Sequence, residues 1–229
     1  MVHPDVHLPK LKYCGLTRKV DVIDAIECGA DAIGLNFVAT SPRRVSPAIA
    51  RELVQLIDGK AFAVGVFVNS SAAEVARIVV DCGLDCIQLH GDETPEWLTH
   101  AFEYSVIQDI PVIRAVTWRD TEQDRSIIAS WVNARFPNLV GFLVDAFDPI
   151  QRGGTGRTAR WDLLNPRPTE FSNIKIGLAG GIQPHNVATA IETALPDGID
   201  VASGIESAPG IKDSAKMLAI AKIAKALLK

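Results

Sequence analysis

Eight short, apolar, β-branched runs recur along the chain at nearly even intervals, and the stretches between them carry helical periodicity. No other feature constrains the fold as tightly. The runs cover residues 12–14, 32–37, 63–67, 85–89, 112–116, 139–144, 175–178 and 199–202, and most are flanked by Gly, Pro, Asn or Asp. Between them, Val75, Ile78, Val79 and Cys82 fall at i, i+3, i+4 and i+7; so do Val187, Ala190, Ile191 and Ala194, and Ile220, Ile223, Ala224 and Leu227. Ile49, Leu53, Leu56 and Ile57 mark a further face, opened by Ser46 as N-cap and Pro47 at the first helical position. The pattern predicts a helix in every gap. Runs apolar on both faces are parallel strands covered by helices. Eight such units of about 29 residues match a closed, parallel, eight-stranded (β/α)8 barrel, the TIM-barrel architecture. An open doubly wound sheet usually has fewer strands, and no G-x-G-x-x-G follows the first run.

No Pro/Gly/Ser-rich linker divides the chain, so the expected organisation is one barrel domain over residues 11–229, with residues 1–10 as an N-terminal extension. The net charge of −4 and the lack of a basic stripe argue against a nucleic-acid partner. Apolar runs of only a few residues argue against a membrane span, and the first residues lack the apolar core of a secretory signal. Four cysteines are present, Cys14, Cys28, Cys82 and Cys86; the C-x3-C of the last two is a poor zinc pattern, so reduced thiols and a cytoplasmic location are expected. The expected partner is a small phosphorylated molecule, with the chain a monomer or homodimer and no metal or cofactor.

In such a barrel the chemistry sits where strands end and βα loops begin. Strand one ends Lys12-Tyr13-Cys14-Gly15-Leu16-Thr17, with Cys14 at the rim beside a helix start, a setting that favours thiolate over the usual packing role of a buried thiol. Strand two leads into Ser41-Pro42-Arg43-Arg44-Val45-Ser46-Pro47; the two arginines are either a solvated pair or a fork for a carboxylate. Strand four ends at His90-Gly91-Asp92, where His90 binds substrate or satisfies loop carbonyls. Strand six ends in Asp145, an acid that follows a strongly apolar run and precedes the glycine-rich Gly153-Gly154-Thr155-Gly156. Strands seven and eight end in Ala179-Gly180-Gly181-Ile182 and Ala202-Ser203-Gly204-Ile205. These are the two loops with which barrels of this kind bind phosphate through backbone N–H groups.

Taken together and in order, these segments resemble the phosphoribosylanthranilate isomerases of tryptophan biosynthesis, from about Leu11 to the last helix. The resemblance implies an Amadori rearrangement of N-(5-phosphoribosyl)anthranilate to 1-(2-carboxyphenylamino)-1-deoxyribulose 5-phosphate. It further implies Cys14 as general base, Asp145 as general acid, and Arg43 as the anchor of the anthranilate carboxylate. The loops holding Gly154, Gly180, Gly181, Ser203 and Gly204 would take the phosphate. The chemistry asks for a lowered thiol pKa and a raised carboxyl pKa. One departure is Ala159-Arg160-Trp161, where the family usually has an aromatic–Asp–Trp run. Three alternatives stand beside this reading. One is the related histidine-pathway isomerase, which has an Asp where Cys14 stands. Another is indole-glycerol-phosphate synthase, which relies on strand-end lysines, whereas Lys12 lies below the rim. The third is a phosphate-binding barrel without catalysis, acting as a binding or regulatory module.

Overall fold

Parallel pairing runs unbroken around the molecule. The computed structural model describes residues 7–145 and 160–228. Its strands are β1 (Leu11–Cys14), β2 (Ala32–Asn36), β3 (Phe62–Phe67), β4 (Cys86–Leu89), β5 (Val112–Thr117), β6 (Leu139–Asp145), β7 (Ile176–Ala179) and β8 (Gly198–Val201). Each pairs with the next, and β1 closes on β8 with Leu11 opposite Ile199 and Tyr13 opposite Val201. This is the expected (β/α)8 barrel, with strand ends within two residues of the sequence reading.

The covering helices are α1 (Lys19–Glu27), α2 (Pro47–Ile57), α3 (Ala72–Cys82), α4 (Pro95–Ala101), α5 (Ser105–Asp109), α6 (Glu122–Ala134), α7 (Val187–Ala194) and α8 (Ser214–Leu227). Their starts follow local chemistry. The Ser46 hydroxyl accepts from the Ile49 amide and Pro47 opens α2; Ser71 caps α3; Thr121 and Asp124 form a capping box on α6. The α3 and α7 faces read from periodicity are buried throughout. On α2 the buried face is Ala50, Leu53 and Ile57, while Ile49 is exposed, because an N3 residue beside the cap lies at the edge of the stripe.

Two gaps depart from one helix each. The fourth holds the short pair α4 and α5. In the sixth, the described residues form two 3-10 turns, Trp161–Leu164 and Thr169–Phe171, where an α-helix was expected. Pro166 and Pro168 stand between the turns, and a ring without an N–H cannot continue an α-helical ladder. Trp161, Leu164 and Phe171 still bury against the sheet, so the packing role of the missing helix is kept.

Most of the core lies between the strands and the outer helices, built on residues such as Tyr13, Ile33, Ile87, Phe142, Leu178 and Val201. A smaller cluster inside the barrel contains Leu8, Ala32, Val64, Cys86, Ile113, Ala115, Leu143 and Ala179. Alternation along strands follows from these two lists: β1 points Leu11 and Tyr13 outward, so Lys12 and Cys14 face the lumen. The same parity turns Gly34 on β2, Gln88 on β4, Asp145 on β6 and Asp200 on β8 inward. Leu8, ahead of β1, closes the lower end; a side chain at Gly141 would press on it.

Candidate active site

The inward parity brings Cys14 and Asp145 to the same upper rim, at the last residues of β1 and β6. Cys14 is 8% exposed. Directly opposite it in the ladder is Gly34. A Cβ on Gly34 would lie 2.7 Å from the Cys14 Sγ and 3.0 Å from the Lys12 Nζ, so a glycine here keeps room for both. Lys12 is 2% exposed and donates to Asp200 Oδ1 at 2.9 Å across the β1–β8 seam. Burial alone would strip the proton from Lys12, yet Asp200 and Cys14 hold its pKa above the ordinary lysine range.

The thiol departs from the sequence expectation. Burial pushes the Cys14 pKa up, Lys12 and Lys212 pull it down, Asp200 opposes them, and the net direction is upward. The pull toward thiolate comes from the two lysines rather than from a helix start. Helix α1 begins at Lys19, well beyond the strand end, with no side-chain cap at Arg18. Asp145 is half-buried at the end of β6, in register with Thr117 of β5 and Ala179 of β7.

Arg43 arrives from the loop between β2 and α2. Gly15, with φ +74°, is the residue that lets it do so, since a side chain there would collide with the Arg43 Cδ. The guanidinium therefore crosses the end of β1 beside Cys14. It is held by Glu206 through Nε at 2.7 Å and Nη2 at 2.6 Å, a two-point fork. Glu206 also accepts from Lys212 Nζ at 2.9 Å and from the Gly210 amide at 3.1 Å. Burial works against its charge, but these donors hold the Glu206 carboxyl below its ordinary range. Lys212 donates as well to the carbonyls of Cys14 at 2.7 Å and Ala202 at 2.9 Å. The small hairpin β9 (Glu206–Ala208) and β10 (Ile211–Lys212) thus ties the ends of β1 and β8 to the arginine loop. Arg44 is exposed, and its backbone bridges Asn36.

The loops after β7 and β8 touch. Gly180 and Gly181 have φ of +85° and +67°, a left-handed pair suited to glycine. A side chain at Gly204 would collide with the Ile182 carbonyl. Ser203 is exposed at the start of the 3-10 turn Ser203–Ile205. Gly180, Gly181, Ser203 and Gly204 therefore form one patch of rim, while Gly154 lies outside the described residues. His90 accepts from Gln88 Nε2 at 2.8 Å through Nδ1. Crowding by protein atoms lowers its pKa, as do Lys12 and Arg114, against Asp200 and Glu93. Asp92 is engaged with Asn69 rather than with His90.

The model of the N-(5'-phosphoribosyl)anthranilate isomerase family matches residues 11–223. The chain belongs to this family. A relative from Syntrophus aciditrophicus, named N-(5'-phosphoribosyl)anthranilate isomerase, is 39% identical over 93% of this chain and 86% of its own. Among solved structures, the phosphoribosyl anthranilate isomerase of Thermotoga maritima is 33% identical with a TM-score of 0.81, covering 96% of this chain and all of that one. A second isomerase structure, in complex with reduced 1-(o-carboxyphenylamino)-1-deoxyribulose 5-phosphate, is 32% identical with a TM-score of 0.78 and the same coverage. Among the described residues no helix is long and apolar enough to cross a membrane.

For this isomerase fold, the sequence reading brought forward Cys14, Asp145, Arg43 and the two glycine-bearing rim segments. It missed what supports them: Lys12 and Asp200 beneath the thiol, and Glu206 with Lys212 behind the arginine. One signal for the first pair was present. Lys12 and Asp200 are opposite charges at inward parity on the first and last strands, which become neighbours when a barrel closes.

Proposed function

We propose that this chain converts N-(5-phosphoribosyl)anthranilate into 1-(2-carboxyphenylamino)-1-deoxyribulose 5-phosphate, with Cys14 as general base and Asp145 as general acid. The observation that carries the reading is a guanidinium packed across Gly15 beside a lumen thiol, with a carboxyl ending β6 on the same rim, in a chain of this family. Protonated Asp145 gives its proton to the furanose ring oxygen; the C1–O bond breaks, and the nitrogen lone pair forms the Schiff base. The Cys14 thiolate removes the proton on C2, and the electrons return to nitrogen as an enaminol. That species takes a proton at C1 and loses one from the C2 hydroxyl, giving the ketone. Substrate and product are isomers, so no electrons enter or leave.

Arg43 meets the anthranilate carboxylate. Because Glu206 takes the Nε–Nη2 side, the substrate is met by the Nη1 side of the fork. The phosphate is held by the loops of Gly180, Gly181, Ser203 and Gly204, joined by Gly154, through backbone N–H groups. Fixing both ends of the substrate supplies the orientation that acid–base catalysis needs. The reacting unit is a single domain over residues 11–229, with a small phosphorylated molecule as partner and neither metal nor cofactor. Four free cysteines support a reducing compartment, the cytoplasm, as its location. The test is a fluorescence assay of phosphoribosylanthranilate consumption with product identified by mass. Turnover resistant to a chelator is expected; no turnover by the folded protein would refute the proposal.

A further inference from the structure

A base buried to 8% exposure has lost most of its hydration, and a thiolate in that position needs a counter-charge. Among the described residues, three cations surround it. Arg43 is committed to Glu206 by two bonds. Lys212 binds Glu206 and the carbonyls of Cys14 and Ala202, which makes it a clamp on the backbone. Lys12 is paired with the Asp200 carboxylate at 2.9 Å, and it stands on the same side of β1 as the sulfur.

We propose that Lys12 is a positioning residue for the base: its ammonium, fixed by Asp200, is the counter-ion of the Cys14 thiolate inside the barrel. The inference rests on the reading of Cys14 as base. Gly34 measures the approach. Sγ and Nζ each lie within 3.0 Å of one point, the position a Cβ on Gly34 would take. The two atoms are therefore at most about 6 Å apart, inside the range where an opposite charge favours ionisation. Lys12 pulls the thiol toward the charged form, and Asp200 opposes it. Asp200 serves the pair by keeping Lys12 charged, so the lysine acts as a fixed cation and not as an amine base. Among the described residues, the other groups facing this layer are Lys212 and Glu206 from the hairpin, Arg43 from the β2–α2 loop, Cys86 and His90 from β4 and its end, and Asp145 at the end of β6, while Arg114 and Glu93 act on His90 from outside the barrel.

A counter-ion moves the titration of the thiol, and a residue that only fills space does not. The rate of Cys14 alkylation by iodoacetamide is followed against pH by peptide mass spectrometry in the full chain. The expected result is that Lys12→Met moves the alkylation midpoint up by about one unit or more, tenfold slower labelling at neutral pH. Lys12→Arg should restore most of it. The acid limb of kcat/KM should shift in step, with KM changing less than kcat. A Lys12→Met midpoint equal to wild type would overturn the assignment. Should Lys12→Met not fold with Asp200 left alone, the double variant Lys12→Met/Asp200→Asn is compared with Asp200→Asn. A higher midpoint in the double supports the counter-ion, and an equal one overturns it. Labelling reads the thiol without substrate, so a chain that fails to turn over phosphoribosylanthranilate refutes the proposed function while leaving this result standing.

Discussion

Replacing Glu206 by Gln removes one charge and almost no volume from the centre of the arginine–hairpin knot. The carboxylate side chain is 6% exposed and faces Lys212 at 0% and Arg43 at 23%. Breaking a buried ion pair from one side costs about 3–5 kcal/mol, because the surviving charge stays buried. Gln still accepts hydrogen bonds, and Arg43 keeps access to water, so a loss of about 2–3 kcal/mol is expected here. At about 2–4 °C per kcal/mol for a chain of this size, Tm should fall by roughly 4–12 °C. The sign with pH follows from the lowered Glu206 pKa. Its stabilisation is fully present above the unfolded carboxyl pKa and disappears as pH falls through the folded value. Urea unfolding of wild type and Glu206→Gln at neutral pH should therefore give different midpoints with equal slopes, and the gap should narrow on acidification below about pH 4. The same variant should raise KM for phosphoribosylanthranilate more than it lowers kcat, since Arg43 loses its orientation. A neutral-pH difference under about 0.5 kcal/mol, the scale of an ordinary surface change, would refute the reasoning, as would a gap that does not respond to acid.

Cys14→Ala and Asp145→Asn should each lower kcat by about 10²–10⁴-fold, the usual worth of one acid–base group, while still binding a reduced product analogue in calorimetry. In the wild type the acid limb of kcat/KM should lie above the ordinary thiol range, as the upward shift at Cys14 requires. Arg43→Ala should act mainly on KM for the anthranilate end; an unchanged KM in steady-state assays counts against its role. Gly204→Ala drives a methyl into the Ile182 carbonyl and should separate the two rim loops. Inhibition by inorganic phosphate should weaken in that variant, with Tm measured alongside.

Much of the fold was legible because its signals are local. Alternating apolar runs, the Ser46–Pro47 helix start and the α3 and α7 faces depend on neighbours a few residues away. In the described part of the sixth gap, 3-10 turns replace the expected helix for an equally local reason: Pro166 and Pro168 interrupt an α-helical ladder there. At the site, Cys14 and Asp145 were legible as polar residues ending apolar strands. Their supports were not, because Lys12 and Asp200 are 188 residues apart and Arg43 and Glu206 are 163 apart. Those pairings exist only through barrel closure and through a hairpin that no periodicity announces.

The barrel interior shows why these hidden pairs matter to the chemistry. Below the rim the lumen is closed by Leu8, Ile113 and Leu143, and an apolar floor gives a charge nothing to lean on. A thiolate on the lumen side of the rim draws on the layer just beneath it as well as on Lys212, and that layer contains Lys12 and Asp200. Gly34 follows from the same need: on the strand beside Cys14, any larger residue would occupy the space in which Sγ and Nζ approach. A thiol at the end of an apolar strand is by itself a packing residue. On the proposed reading, what fits this one for proton transfer is a lysine two positions earlier in its own strand, held charged by the strand that closes the barrel.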